Sequence, residues 1–158
     1  MLLLLCACAL PASAATVGLA VVEVGLSPDA ARPEASFAWE SGALDALFGA
    51  GHIGSNAPIA RLGAGLLNPA GLPADEYYGV DEARTGGADW LLLVVLRYRS
   101  DGVRPVPEMA VYSLRRLRDG AVLLKGETGI LPPAASSAEA AAAAAALTLR
   151  IIAGMKDR

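Results

Sequence analysis

The chain has 158 residues, of which 54% are hydrophobic and 18% charged, with a formal net charge of −3. This length sets one domain, with enough chain for a two-layer core that needs no disulfide or metal staple. The mild acidity excludes a nucleic-acid partner held by bulk charge, and no apolar run beyond residue 14 approaches the roughly 18 residues a membrane-spanning helix requires.

Residues 2–10 form an apolar run that Pro11 breaks, and Ala12-Ser13-Ala14 then places small residues at the −3 and −1 positions of a cleavage site. This pattern predicts a signal peptide over residues 1–14, and an exported, periplasmic domain over residues 15–158. No Lys or Arg precedes the apolar run, which points to a start further upstream. Both cysteines, Cys6 and Cys8, fall in the leader, so cleavage after Ala14 leaves a mature chain without thiol chemistry. The alternative reads Leu5-Cys6-Ala7-Cys8 as a degenerate lipobox, with Cys8 lipidated and the domain anchored to a membrane.

Residues 16–26 are β-branched and almost wholly apolar, which predicts a strand buried on both faces. Ser36 is placed to cap a helix over residues 37–50, with Phe37, Leu44, Leu47 and Phe48 on one face and Gly51 as the residue that ends it. Gly42 weakens that helix by about 1 kcal/mol relative to alanine, so packing must compensate. Residues 52–56 read as a short strand, and residues 63–72 as a Gly- and Pro-rich loop. A helix follows from Asp75 through Arg84, stopped by Gly86-Gly87.

Residues 88–99 contain the most apolar run of the mature chain and predict the central strand. After a turn at Asp101-Gly102, residues 106–118 alternate, with Ala110, Tyr112 and Leu114 on one face and Met109, Val111 and Ser113 on the other. Asp119-Gly120 predicts a two-residue type I′ hairpin into a return strand over residues 121–130. Past Pro132-Pro133, Ser136 and Glu139 form a capping box for a final helix. Its inner stripe is Ala140, Ala143, Ala144, Leu147, Ile151 and Met155. The predicted order is β-α-β-α-β-β-β-α, an α/β fold with a mixed sheet of about five strands and helices mostly on one face.

Charge is unevenly spread. Acidic residues outnumber basic ones by ten to three over residues 15–96, and basic outnumber acidic by seven to three over residues 97–125. The basic stretch reads mainly as solvated strand edges and turns. Glu40 lies between Leu44 and Leu47 on the helical wheel, in the first helical turn, where the helix dipole favours a carboxylate. His52 is the sole histidine, and no Gly-x-Ser-x-Gly elbow or mature cysteine gives it a nucleophile to serve. One histidine without cysteines does not make a zinc site, and Asp75, Glu76, Asp81 and Glu82 lack calcium-loop spacing. No cofactor is implied.

The order of elements carries a resemblance. A leader is followed by an apolar first strand (residues 17–24), a helix, and the strand entry Gly87-Ala88-Asp89-Trp90-Leu91-Leu92-Leu93-Val94. A hairpin at Asp119-Gly120 and a last helix complete it. Together they resemble the small α/β domain of the TolB amino-terminal region, the penicillin-binding-protein activator lipoproteins and the curli-assembly lipoproteins, over most of the mature chain. The resemblance implies a non-enzymatic cell-envelope protein that binds another envelope protein, and it transfers no binding residue. Trp39-Glu40 and the segment 51–58 fall outside that pattern. Trp39, Glu40, His52 and Asn56 are therefore the candidate binding residues, and a small periplasmic enzyme or ligand-binding module built on Glu40 and His52 is the alternative.

Overall fold

The computed structural model describes residues 14–63, 66–67, 71–99 and 105–155. The expected signal peptide, with Cys6 and Cys8, up to residue 13, and the expected Asp101-Gly102 turn lie outside the described residues.

The chain folds as β1 (Thr16–Val24), α1 (Glu34–Gly49), β2 (Ile53–Asn56), β3 (Ala60–Leu62), α2 (Ala74–Tyr77), α3 (Val80–Thr85), β4 (Trp90–Arg99), β5 (Val106–Arg116), β6 (Val122–Glu127) and α4 (Ser137–Ala153). One mixed sheet has the order β2-β1-β4-β5-β6, with β3 also on β1. β2, β3 and β4 run parallel to β1, while β5 is antiparallel to β4 and β6 to β5. β4 is the middle strand, as its apolar run predicts, because only a strand flanked on both edges and covered on both faces tolerates such continuity.

Alternation on each strand divides the core into two layers. Val17, Leu19, Val21, Leu92, Val94, Leu96, Ala110 and Leu114 face α1 and α4. Ala20, Val22, Leu91, Leu93 and Val95 face the other way, against Val80 and Ala83 of α3. The two long helices therefore share one face and the two short ones lie on the other. α1 and α4 touch where Gly42 meets the Ala141 backbone: a Cβ at Gly42 would lie 2.7 Å from the Ala141 carbonyl carbon and closer still to its oxygen. Only a residue without a side chain permits that approach.

The mixed sheet expected from the sequence forms, with six strands among the described residues, because the chain resumes pairing with β1 at Ala60 after the interruption around Pro58. Other expectations are corrected. The helix expected through residues 75–84 is two short helices parted at Gly79, whose φ of +77° ends one and whose bare Cα lets Ala20 pack beneath it. Ser36 does not cap α1. The helix starts at Glu34 behind Pro33, and the buried Ser36 hydroxyl bonds instead to the Tyr98 hydroxyl at 2.7 Å. The Asp119-Gly120 turn is not type I′: Gly120 alone takes positive φ there, and Asp119 keeps negative φ. The loop is longer, closed by the Arg116 amide donating to the Ala121 carbonyl, while the Asp119 carboxylate accepts from the Ala121 amide at 3.1 Å. The return strand stops at Glu127.

The capping box of α4 forms. The Ser136 hydroxyl accepts from the Glu139 amide at 3.3 Å, and the Glu139 carboxylate accepts from the Ala135 amide at 2.7 Å. Ala140, Ala144, Leu147 and Ile151 are buried as expected, together with Thr148 and Ile152, whereas Ala143 faces out.

Candidate functional site

Helix α1 carries apolar side chains on its buried side and on its exposed side. Its inner face is made mostly of small residues (Ser36, Ala38, Gly42, Ala43 and Ala46) with Trp39 and Leu47, and all of these are buried. Small residues let the helix sit close to the sheet and to α4. The bulky apolar residues are left outside: Phe37 is 51% exposed and Phe48 56% exposed, with the half-buried Leu44 between them. These are both of the phenylalanines in the chain. At 3.6 residues per turn the three side chains fall within an arc of about 40° and span about 16 Å along the helix. The face formed by Phe37, Leu44 and Phe48 thus turns outward, and Leu47 alone of the expected set enters the core. The helix inverts its expected orientation because Gly42 and the alanines accept the turn of α4 over residues 140–144 at a separation that phenylalanines would prevent.

This outer stripe continues onto β2. A Cβ at Gly54 would lie 3.2 Å from Leu44 Cδ2 and 3.6 Å from Phe48 Cζ, so both side chains lean on the bare backbone of that strand. One turn along, the Asn56 side-chain amide donates to Glu40 Oε1 at 2.9 Å. Glu40 and Asn56 are therefore brought together, at the edge of the stripe. The other two candidates are elsewhere. Trp39, 3% exposed, is part of the core. His52 precedes β2, about 13 Å of strand from Asn56, where its Nδ1 accepts a long 3.4 Å bond from the Ala15 amide. Its Nε2 is buried without a hydrogen-bond partner among the described residues. Glu40 and His52 each have a different partner, one on either end of the same short strand.

The sequence reading passed over a second polar cluster. Glu23, on β1, is fully buried, and its carboxylate accepts from Arg61 Nε at 2.8 Å and pairs with Arg61 Nη2 at 2.7 Å. Arg32 approaches its other oxygen at 3.5 Å. Arg61 also donates to the carbonyls of Ser27 at 2.9 Å and Ala30 at 2.6 Å. Beside it, burial pushes the Tyr98 hydroxyl up to about 12, partly opposed by its bond to Ser36. This cluster fixes β3 and the chain after β1 in place and so sets where α1 begins. The available signal was the lone carboxylate inside an otherwise apolar run.

At the opposite end of the sheet an open cavity of about 520 Å³ is lined by Ala14, Arg84, Asp89, Trp90, Arg116 and Arg118, among others. Its charges are largely engaged: Arg116 pairs with Asp119 at 2.8 Å, and Asp89 accepts from the Thr16 amide at 3.0 Å. The Asp119 carboxyl is held below its ordinary range, chiefly by that bond to Arg116. Trp90 and the tyrosines Tyr77 and Tyr78 are half-buried against the core, so the exposed aromatic surface belongs to α1. Among the described residues no group of His, Cys, Asp or Glu is arranged to hold a metal ion. No helix among them is long and apolar enough to cross a membrane.

No family model matches the sequence, and no curated protein matches it. Solved structures do. A PelC dodecamer from Paraburkholderia phytofirmans is 21% identical, covering 92% of this chain and 89% of that one, with a TM-score of 0.48. Lipoprotein GNA1162 from Neisseria meningitidis is 15% identical over 88% of this chain and 99% of that one, with a TM-score of 0.47. TolB from Acinetobacter baumannii, 10% identical with a TM-score of 0.39, is matched over 87% of this chain and 30% of its own length. TolB is one of the proteins that the order of elements resembles.

Proposed function

We propose that the protein is a non-catalytic module of the cell envelope that works by holding another protein against the outer face of α1. The supporting observation is the exposed Phe37–Leu44–Phe48 stripe. Helix α1 presents bulky apolar side chains outward as well as inward, and contiguous exposed apolar surface marks an interaction site. Here α1 has the sheet and α4 on its inner side, and the described residues of its own chain cover the stripe only in part, leaving both phenylalanines more than half exposed. The polar candidates support the same reading: Glu40 and Asn56 bond to each other at the border of the stripe, as rim residues do around an apolar contact.

Photo-crosslinking tests this. A photoreactive phenylalanine analogue is placed at position 37, 48 or, as a control on the exposed alanine side of α4, at 142. Irradiation of intact cells is expected to give a discrete protein adduct from positions 37 and 48 and none from 142. No adduct at 37 or 48, or equal adducts at all three positions, overturns the proposal.

A further inference from the structure

The charges around the stripe define what would cover it. Helix α1 carries Glu34, Glu40 and Asp45 and no Lys or Arg. On the helical wheel, Glu34 and Asp45 flank the stripe on one side and Glu40 flanks it on the other. Glu34 and Asp45 are exposed, and neither pairs with a cation among the described residues. Glu40 has the uncharged Asn56 amide as its partner. Among the described residues Arg32 lies over this face, 5.9 Å from the centre of the Phe37 ring, but its charge is set against Glu23 and it donates to the Ile59 carbonyl at 2.8 Å. The surface is thus an apolar strip with acid on both margins.

We infer that the occupant of this face is a cationic amphipathic helix of a partner protein, with an apolar stripe set on Phe37, Leu44 and Phe48 and Lys or Arg on its flanks. The inference rests on the reading of α1 as the contact surface and adds the chemistry of the partner. Two arguments select a helix with that charge. The backbone of α1 is spent on its own hydrogen bonds, so α1 offers only side chains. A segment laid on it must satisfy its own amides and carbonyls internally, which a helix does and a single extended strand does not. A partner with acidic flanks would face Glu34, Glu40 and Asp45 with like charge as water leaves the contact, and like-charge juxtaposition is how an interface rejects wrong partners. A straight stripe three turns long matches the i, i+3, i+4, i+7 anchors of an amphipathic helix.

The test uses the purified protein and a dye-labelled peptide of leucine and lysine in amphipathic helical spacing, with a second peptide in which glutamate replaces every lysine. Fluorescence anisotropy is expected to show binding of the lysine peptide, weakening as salt rises, and no binding of the glutamate peptide. Phe37→Ser with Phe48→Ser is expected to abolish binding. Glu34→Lys with Asp45→Lys is expected to weaken it about tenfold, since each exposed ion pair contributes at most about 1 kcal/mol, and to flatten its salt dependence. Both pairs of substitutions are at exposed positions, and far-UV circular dichroism verifies that each variant is folded.

Equal binding of the two peptides, or binding that survives loss of both phenylalanines, overturns the inference. So does self-association of the purified protein that Phe37→Ser with Phe48→Ser abolishes, because the occupant is then a second copy. Adducts at positions 37 and 48 in cells without binding of the lysine peptide sink the cationic helix and leave the contact surface standing. Absence of adducts removes the contact surface itself.

Discussion

Replacing Gly42 by alanine sets two physical effects against each other, and the structure decides the sign. Helix propensity alone makes Gly42→Ala stabilising by about 1 kcal/mol, since glycine in a helix interior loses more backbone entropy than alanine does. The structure adds a methyl group where none fits. The new Cβ would lie 2.7 Å from the Ala141 carbonyl carbon and 2.8 Å from its Cα, and inside contact distance of its oxygen. Ordinary contacts to a methyl group begin near 3.4 Å, and the obstructing atoms are backbone, so they do not swing away. Helix α1 or α4 must then shift by most of an ångström, which loosens the layer holding Leu47, Ala144, Leu147 and Ile151. Overpacking of this kind costs about 1–3 kcal/mol, toward the upper end where backbone is involved. The expected net is a loss of about 2 kcal/mol. In a domain of this size that lowers the melting temperature by roughly 5–8 °C. Thermal and urea unfolding followed by far-UV circular dichroism measure it, with Gly49→Ala as the control, because a Cβ there meets nothing within 4 Å. A Gly42→Ala variant that melts at or above the parent temperature would refute the account of how α1 and α4 pack.

Two further outcomes are expected. Glu23→Gln should destabilise the protein by about 3–5 kcal/mol, because it strands the Arg61 guanidinium at a buried pairing site, while Glu23→Leu with Arg61→Leu should cost clearly less than the two single leucine changes summed; a urea double-mutant cycle with no coupling would contradict the pairing. For Tyr98 the folded-state value of about 12 lies above the unfolded 10.0, so the native state holds the proton more tightly. Its contribution to stability is fully present below pH 10 and is lost as pH rises toward 12. Ultraviolet titration of the phenolates should show Tyr98 ionising last of the tyrosines, and Tyr98→Phe should remove that final step; a Tyr98 that titrates normally in the folded protein contradicts its burial.

Much of the fold is written in short-range signals. The apolar continuity of residues 16–24 and 90–96 announces buried strands, the alternation of residues 109–114 announces a strand with two different faces, and Ser136 with Glu139 announces the start of α4. Each depends on neighbours within one turn or one strand. What failed depends on partners far along the chain. Leu44, Leu47 and the two phenylalanines have the right spacing for a core stripe, and only the close seat of α4 on Gly42 turns that stripe outward. Ser36 has the chemistry of a cap, but Tyr98, 62 residues away, claims its hydroxyl. The three residues of β3 carry too little pattern to be told from a loop, and they pair because β1 offers an open edge. The candidate site was legible in part. The Glu40 and Asn56 neighbourhood is where the exposed stripe meets β2, whereas Trp39 and His52 drew notice by falling outside the pattern of the resemblance, which says nothing about where a side chain points.

The position of β1 has a kinetic consequence. Among the described residues it comes first in chain order, yet it lies between β2 and β3 on one edge and β4 on the other. Its bond to the start of β4 joins Thr16 to Asp89, 73 residues apart. Contacts so distant in sequence raise contact order and slow folding, because a long loop must close before the pairing rewards it. A ribosome that has delivered β1, α1 and β2 has delivered no sheet that can stand alone, since the middle strand is still to come. That delay leaves the polypeptide without a stable sheet, and so extensible, until β4 has been made and has paired with β1.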